Sequence, residues 1–222
     1  MKLRLSKKRN QAMNIADLIV IVAIAAILSV MFVLYEKNQQ RRVDPYICFK
    51  NLKAIGVSMQ IWQGDHNNEF PMSVSVTNGG AMELIATGNV AAYFQVMSNE
   101  LSAPKILICP MDTVHSFATN FQNDFNNSHI SYFLNPDANE GYPQELMSGD
   151  ANLAINGVPV KSGLVALPSS ASVSWTAARH SSYGNIVYAD GSVSMASTTG
   201  LQSALDLTTN GTPIMTIRLA IP

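Results

Sequence analysis

The chain has 222 residues, 47% hydrophobic and 13% charged, with a formal net charge of -1; that length and balance suit one sizeable buried core together with a membrane segment. The charge is unevenly placed, because residues 1–12 hold Lys2, Arg4, Lys7, Lys8 and Arg9 and no acid, leaving 9 basic against 15 acidic side chains, or -6, beyond them. A body of that charge with scattered cations argues against phosphate recognition, so no nucleic-acid partner is expected.

From Met13 to Leu34 the sequence MNIADLIVIVAIAAILSVMFVL runs apolar for 22 residues, which as a helix matches a hydrocarbon core of about 30 Å. A cleaved secretory signal has a shorter apolar core followed by a small-residue cleavage site, whereas this run continues into Tyr35 and Glu36. An anchor that stays in place is expected, lying in a lipid bilayer. The five basic residues before it favour a cytoplasmic N-terminus, against a weaker pull from Lys37, Arg41 and Arg42. Asp17 is the charged residue in the run. A carboxylate at bilayer depth costs about 2.5–3.5 kcal/mol and calls for a partner.

Past the polar KNQQRR, Asp44-Pro45 suits an N-cap and first helical position, which predicts a kink or restart. Cys48, Leu52, Ile55, Met59 and Trp62 then recur at helical spacing while Lys50, Lys53 and Gln60 fall off the stripe. The pattern predicts an amphipathic helix docked on a sheet and ending near Gln63, before Gly64 and DHNNEFP.

The remainder reads as short strands and loops. Strands are expected at KILIC (105–109), ISYFL (130–134), SVSWT (172–176), NIVYA (185–189), SVSMA (192–196) and PIMTIRLAIP (213–222), with a short helix at LQSALDL (201–207). Antiparallel pairing gives an α+β fold. Residues 112–170 are rich in Asn, Ser, Gly and Pro, and there Phe117, Phe121, Phe125, Tyr132 and Phe133 are expected to supply the burial. Cys48 and Cys109 are too few for a disulfide scaffold and lack the paired spacing of a zinc site. Placed at the helix–sheet interface, they form one bridge or remain two buried thiols.

Two motifs stand at opposite ends of the chain. QAMNIADLIVIVAIAAIL resembles the type IV prepilin signature, with Ala12 before the cut, Met13 after it and Asp17 fifth in the mature chain. His180 is followed by nine residues and then Asp190-Gly191 in RHSSYGNIVYADGSV. Together they resemble the prepilin-type, processing-associated H-X9-DG family, and CFKNLKAIGVSMQIWQGDHNNEFP (48–71), ILICP (106–110) and SGDANL (148–153) agree with that family's pattern. Ala12 for the usual Gly, Met13 for the usual Phe and Asp17 for the usual Glu are departures that keep the chemistry.

The resemblance implies a pilin-like α+β fold, with a basic leader (1–12), a transmembrane and assembly helix (13–35), its amphipathic continuation (36–64) packed on an antiparallel sheet, and a loop-rich extracytoplasmic β domain (65–222). It also implies cleavage and N-methylation by a prepilin peptidase, pairing of Asp17 with the N-terminal amine of a neighbouring pilin or pseudopilin subunit, and work within a type II secretion-like or type IV pilus machinery. The location implied is the bacterial inner membrane or a surface filament. No enzyme activity and no cofactor are expected. A calcium loop at Asp137, Asn139 and Glu140 is the weak exception, since some pseudopilins use calcium in their loops.

Asp-Gly between NIVYA and SVSMA predicts a tight two-residue hairpin turn. The spacing also allows a strand running back from His180 to bring its imidazole near Asp190, as a structural hydrogen bond, a metal site or a dyad. The competing class is a membrane-anchored enzyme or ligand-binding domain built on His180 and Asp190. A hydrolase lacks support, because no G-x-S-x-G nucleophile turn accompanies them.

Overall fold

The computed structural model describes residues 14–168, 171–211 and 216–222; for 37–44, 210 and 211 only the backbone is described. The chain divides after Val43 into two compact units. The first helix, α1, is assigned over Ile15–Asp65 and runs through Pro45 without the expected restart, ending two residues beyond Gln63. In the first unit every residue of 14–36 is exposed. The segment Ile15–Glu36 has a mean hydropathy of 3.0 and the length to cross a membrane.

In the second unit, helices α2 (Met82–Ile85), α3 (Val90–Val96) and α4 (Ser98–Leu101) follow α1. Then come strands β1 (Tyr132–Leu134), β2 (Leu146–Asp150), β3 (Leu153–Ile155), β4 (Val158–Pro159), β5 (Gly163–Leu167), β6 (Val173–Trp175), β7 (Gly184–Tyr188) and β8 (Val193–Ala196), helix α5 (Thr198–Gly211) and strand β9 (Ile217–Ile221). One sheet has the order β5-β9-β1-β2-β7-β8 and a smaller one β4-β3-β6. All pairings are antiparallel. The fold is mixed α+β, with one long apolar N-terminal helix and antiparallel sheets.

Strand alternation builds two cores. Tyr132, Leu134, Met147, Val187 and Ala220 face one cluster, shared with Cys48, Leu52, Ile55, Met59 and Trp62 of α1. Phe133, Leu146, Ile186, Leu219 and Ile221 face the other, shared with Trp175 and with Leu201 and Leu205 of α5. Successive strand residues point to opposite faces, so a sheet covered on both sides needs this double apolar set. The helical stripe is fully buried as its spacing predicts, each member being at most 2% exposed.

Several elements differ from expectation. KILIC is not a strand: Pro104–Leu107 forms a 3-10 turn, with Pro104 preset at its first position. Phe117 is 59% exposed, while Phe121, Tyr132 and Phe133 are buried as expected. The Asp-Gly turn is a three-residue loop, because Tyr188 N–H donates to Ser192 O at 2.9 Å across Ala189, Asp190 and Gly191. Gly191 has φ +73° there, the left-handed position that closes such a loop.

That loop seats on α1. Lys53 Nζ donates to Gly191 O at 2.9 Å and Gln60 Nε2 donates to Ala189 O. Contact is close enough that a Cβ on Gly56 would lie 2.8 Å from Val187 Cγ2 and 3.2 Å from Gly191 O. Gly191→Ala is expected to destabilise this unit by about 1–2 kcal/mol, since an L-residue resists that backbone region and its Cβ would lie 3.2 Å from Gln60 Cγ. Chemical denaturation of the wild-type and variant chains measures the loss.

Candidate functional site

Cys48, Cys109, His180 and Asp150 converge beneath the junction of α1 and the large sheet. Cys48 comes from the helical stripe and Cys109 follows the 3-10 turn, where Asn51 Nδ2 donates to Ile108 O at 3.0 Å and fixes the approach. The two cysteines are disulfide-bonded with Cα atoms 5.0 Å apart. Both are 0% exposed, as is Asp150. His180 Nε2 lies 3.3 Å from Cys109 Sγ and 3.5 Å from Asp150 Oδ2.

Asp150 ends β2, and Asn185 of β7 holds its Oδ2 through a backbone N–H at 2.7 Å and a side-chain N–H at 2.9 Å. Its other oxygen, Oδ1, is buried without a hydrogen-bond partner among the described residues. His180 sits in a turn where three consecutive non-glycine residues, His180, Ser181 and Ser182, have positive φ. Such backbone persists only where surrounding contacts over-determine it. The adjacent Arg179 supplies them.

Arg179 donates to Ser131 O at 2.7 Å and pairs with Asp112 Oδ2. Asp112 also accepts from His115 Nδ1 and Ser131 Oγ, each at 2.7 Å, and Ser131 Oγ accepts from Cys109 N–H at 3.0 Å. Burial pushes the Asp112 carboxyl up, but hydrogen bonds from His115 and Ser131 and the Arg179 guanidinium outweigh it and hold the group well below the usual carboxylate range. This buried ion pair clamps the loop after Cys109 to the loop before His180.

The expected approach of His180 to Asp190 does not occur. The nine-residue spacer contains β7, five residues long, whose rise of about 3.3 Å per residue separates its ends by about 13 Å. His180 is buried beside the disulfide. Asp190 is exposed, capping its own loop by accepting from Ser192 N–H at 2.8 Å and meeting Gln144 at 3.4 Å. The carboxylate beside His180 is instead Asp150 of the SGDANL segment. Sequence spacing did not indicate that pairing, although a carboxylate inside a strand with every position buried carries the physical hint of a required partner.

Ala12 and Met13 lie outside the described residues. Asp17 is exposed in the first turn of α1, its Oδ2 accepting from Asn14 N–H at 3.2 Å. At the suggested calcium loop, Asp137 forms a two-bond ion pair with Arg218, and Asn139 Oδ1 accepts from Gly141 N–H at 2.8 Å. Glu140 Oε2, the remaining oxygen of that suggestion, is buried without a hydrogen-bond partner among the described residues.

Glu145 stands beside this turn, 1% exposed, with Oε1 unpartnered among the described residues. Burial pushes its carboxyl up to about 7, against the hydrogen bond from Asn139 N–H. A carboxyl raised above its unfolded value contributes stability that is complete below about pH 4.5 and is lost as pH rises through about 7. Glu145→Gln, which removes the charge, is expected to flatten the loss of stability between pH 5 and pH 8. Parallel denaturation curves at the two pH values for both chains check the slope. No protein family, no curated protein and no solved structure matches the chain.

Proposed function

We propose that this chain is a pilin-like structural subunit of the processing-associated H-X9-DG type. A prepilin peptidase cuts between Ala12 and Met13 and methylates the new amine. Ile15–Glu36 holds the subunit in the bacterial cytoplasmic membrane with residues 44–222 outside, and the subunit joins other pilin or pseudopilin subunits of a secretion or pilus machinery. The carrying observation is a carboxylate, Asp17, in the first turn of a helix that carries no other charged residue from Ile15 to Tyr35 and is exposed along that length. An acid there is costly unless a cation meets it at the same depth. The amine created at Met13 on a neighbouring subunit is such a cation.

Three further features support the reading. The buried bridge suits an oxidising compartment outside the cytoplasm. Both conspicuous parts of the distal motif are occupied with structure, Gly191 against α1 and His180 against the disulfide. Along residues 44–65, Tyr46, Val57 and Ile61 are exposed apart from the buried stripe, which leaves apolar surface for packing against other subunits. The direct test is removal of residues 1–12 by a prepilin peptidase while the remainder stays in the membrane.

A further inference from the structure

We infer that Cys48, Cys109 and His180 form a redox-gated site for a zinc-class divalent ion, filled in the dithiol form of the chain and closed by the disulfide. This inference is independent of the filament reading. The sulfur atoms and the histidine ligand nitrogen all lie within 4.8 Å of one another, on three buried residues. Thiolate sulfur and imidazole nitrogen are the donors this ion takes in closed tetrahedral sites, at about 2.3 Å and about 2.0–2.1 Å. Those lengths give a tetrahedral N···S edge of about 3.5 Å. The observed separation from His180 Nε2 to Cys109 Sγ is 3.3 Å.

A second observation points the same way. Asp150 is fully buried, yet its Oδ1 has no hydrogen-bond partner among the described residues, while Asn185 secures Oδ2 from the far strand. That unclaimed oxygen, on a carboxylate whose Oδ2 lies 3.5 Å from the imidazole nitrogen, supplies the fourth donor. Asn185 then orients it, as outer-shell groups do around metal ligands.

The gating follows from valence. In the bridged form each sulfur is bonded to the other, and no thiolate exists to bind an ion. Reduction by a thiol or phosphine adds two electrons and two protons to the disulfide and yields two thiols. Binding of one divalent ion then displaces both protons, leaving a dithiolate complex in which the sulfurs stand about 3.8 Å apart. Oxidation by a small-molecule or protein disulfide reverses this. Two electrons pass from the thiolates to the oxidant, which leaves as two thiols or thiolates, and the bridge forms as the ion departs.

The experiment uses the full chain in detergent. It is reduced with a phosphine under denaturing conditions and returned to native buffer without oxygen, with Zn2+ or Co2+ as the only added metal. One equivalent of Zn2+ is expected to bind the reduced chain and none the oxidised chain, and Co2+ should give the absorption of a tetrahedral, thiolate-bound ion. His180→Ala should abolish that spectrum, and Asn185→Ala, which removes the outer-shell group, should weaken binding about 10–100-fold, with Asp150→Asn costing at least as much. Adding oxidised glutathione should release the ion as the bridge forms. Equal uptake by reduced and oxidised wild-type chains would overturn the inference, as would a Co2+ spectrum unchanged by Asp150→Asn and His180→Ala. A reduced wild-type chain that neither binds Zn2+ nor regains native circular dichroism in its presence would overturn it too, without reference to any variant.

Discussion

Replacing Cys48 and Cys109 together by alanine is expected to lower the stability of the second unit by about 4 kcal/mol. The bridge joins residues 61 apart in sequence, and closing a loop of that length removes about 4 kcal/mol of conformational freedom from the unfolded chain. The position amplifies the effect. Cys48 lies on the buried stripe of α1, and Cys109 leads into the loop that Asp112 and Arg179 clamp against Ser131. Loss of the bridge therefore loosens the helix, the 3-10 turn and the His180 turn together. Denaturant titration of the wild-type and alanine chains in the same detergent measures the difference. A loss below about 1 kcal/mol would mean that the contacts around the bridge hold these elements without it.

The second large effect concerns assembly. Asp17→Ala should leave membrane insertion intact or improved, because it removes a group costing about 2.5–3.5 kcal/mol at bilayer depth, while incorporation into filaments falls to background. Asp17→Glu, which keeps the charge, should restore incorporation. Comparing the membrane fraction with the sheared filament fraction for the three chains separates anchoring from assembly. Normal filament yield from the alanine chain would show that the carboxylate serves only its own helix, through the hydrogen bond from Asn14.

Elements whose pattern matches their geometry were legible in the sequence. The stripe from Cys48 to Trp62 repeats at helical spacing and is buried along its length, and NIVYA and SVSMA pair as β7 and β8 across the loop closed by Gly191. Strand β2 was hidden for a physical reason. Ser148, Gly149 and Asp150 read as turn residues, yet the strand is central in its sheet and buried at every position, because Phe133 O accepts from Ser148 and Asn185 donates to Asp150. Such long-range partners leave no local signal. Helices α2 to α4 span four to seven residues, too short for a periodic stripe.

The same limit governed the candidate site. His180 and Asp190 are conspicuous by their spacing, yet the intervening strand holds them apart, and the groups that meet His180 come from residues 71 and 30 positions earlier. Cys109 and Asp150 become its neighbours only once the sheet has formed against α1. Local reading also assigned KILIC to a strand from its apolar content. Pro104 starts a 3-10 turn there, and that turn delivers Cys109 to Cys48.

The central claim, that this is a processed pilin-like subunit, meets its most direct test at the junction of Ala12 and Met13. The full chain is produced with and without a prepilin peptidase, and the membrane-bound product is analysed by intact mass and N-terminal sequencing. The account predicts a shortened, N-methylated chain that begins at Met13 and stays in the membrane. A chain that keeps residues 1–12 in the presence of an active peptidase, or one released by cleavage beyond Leu34, would contradict it.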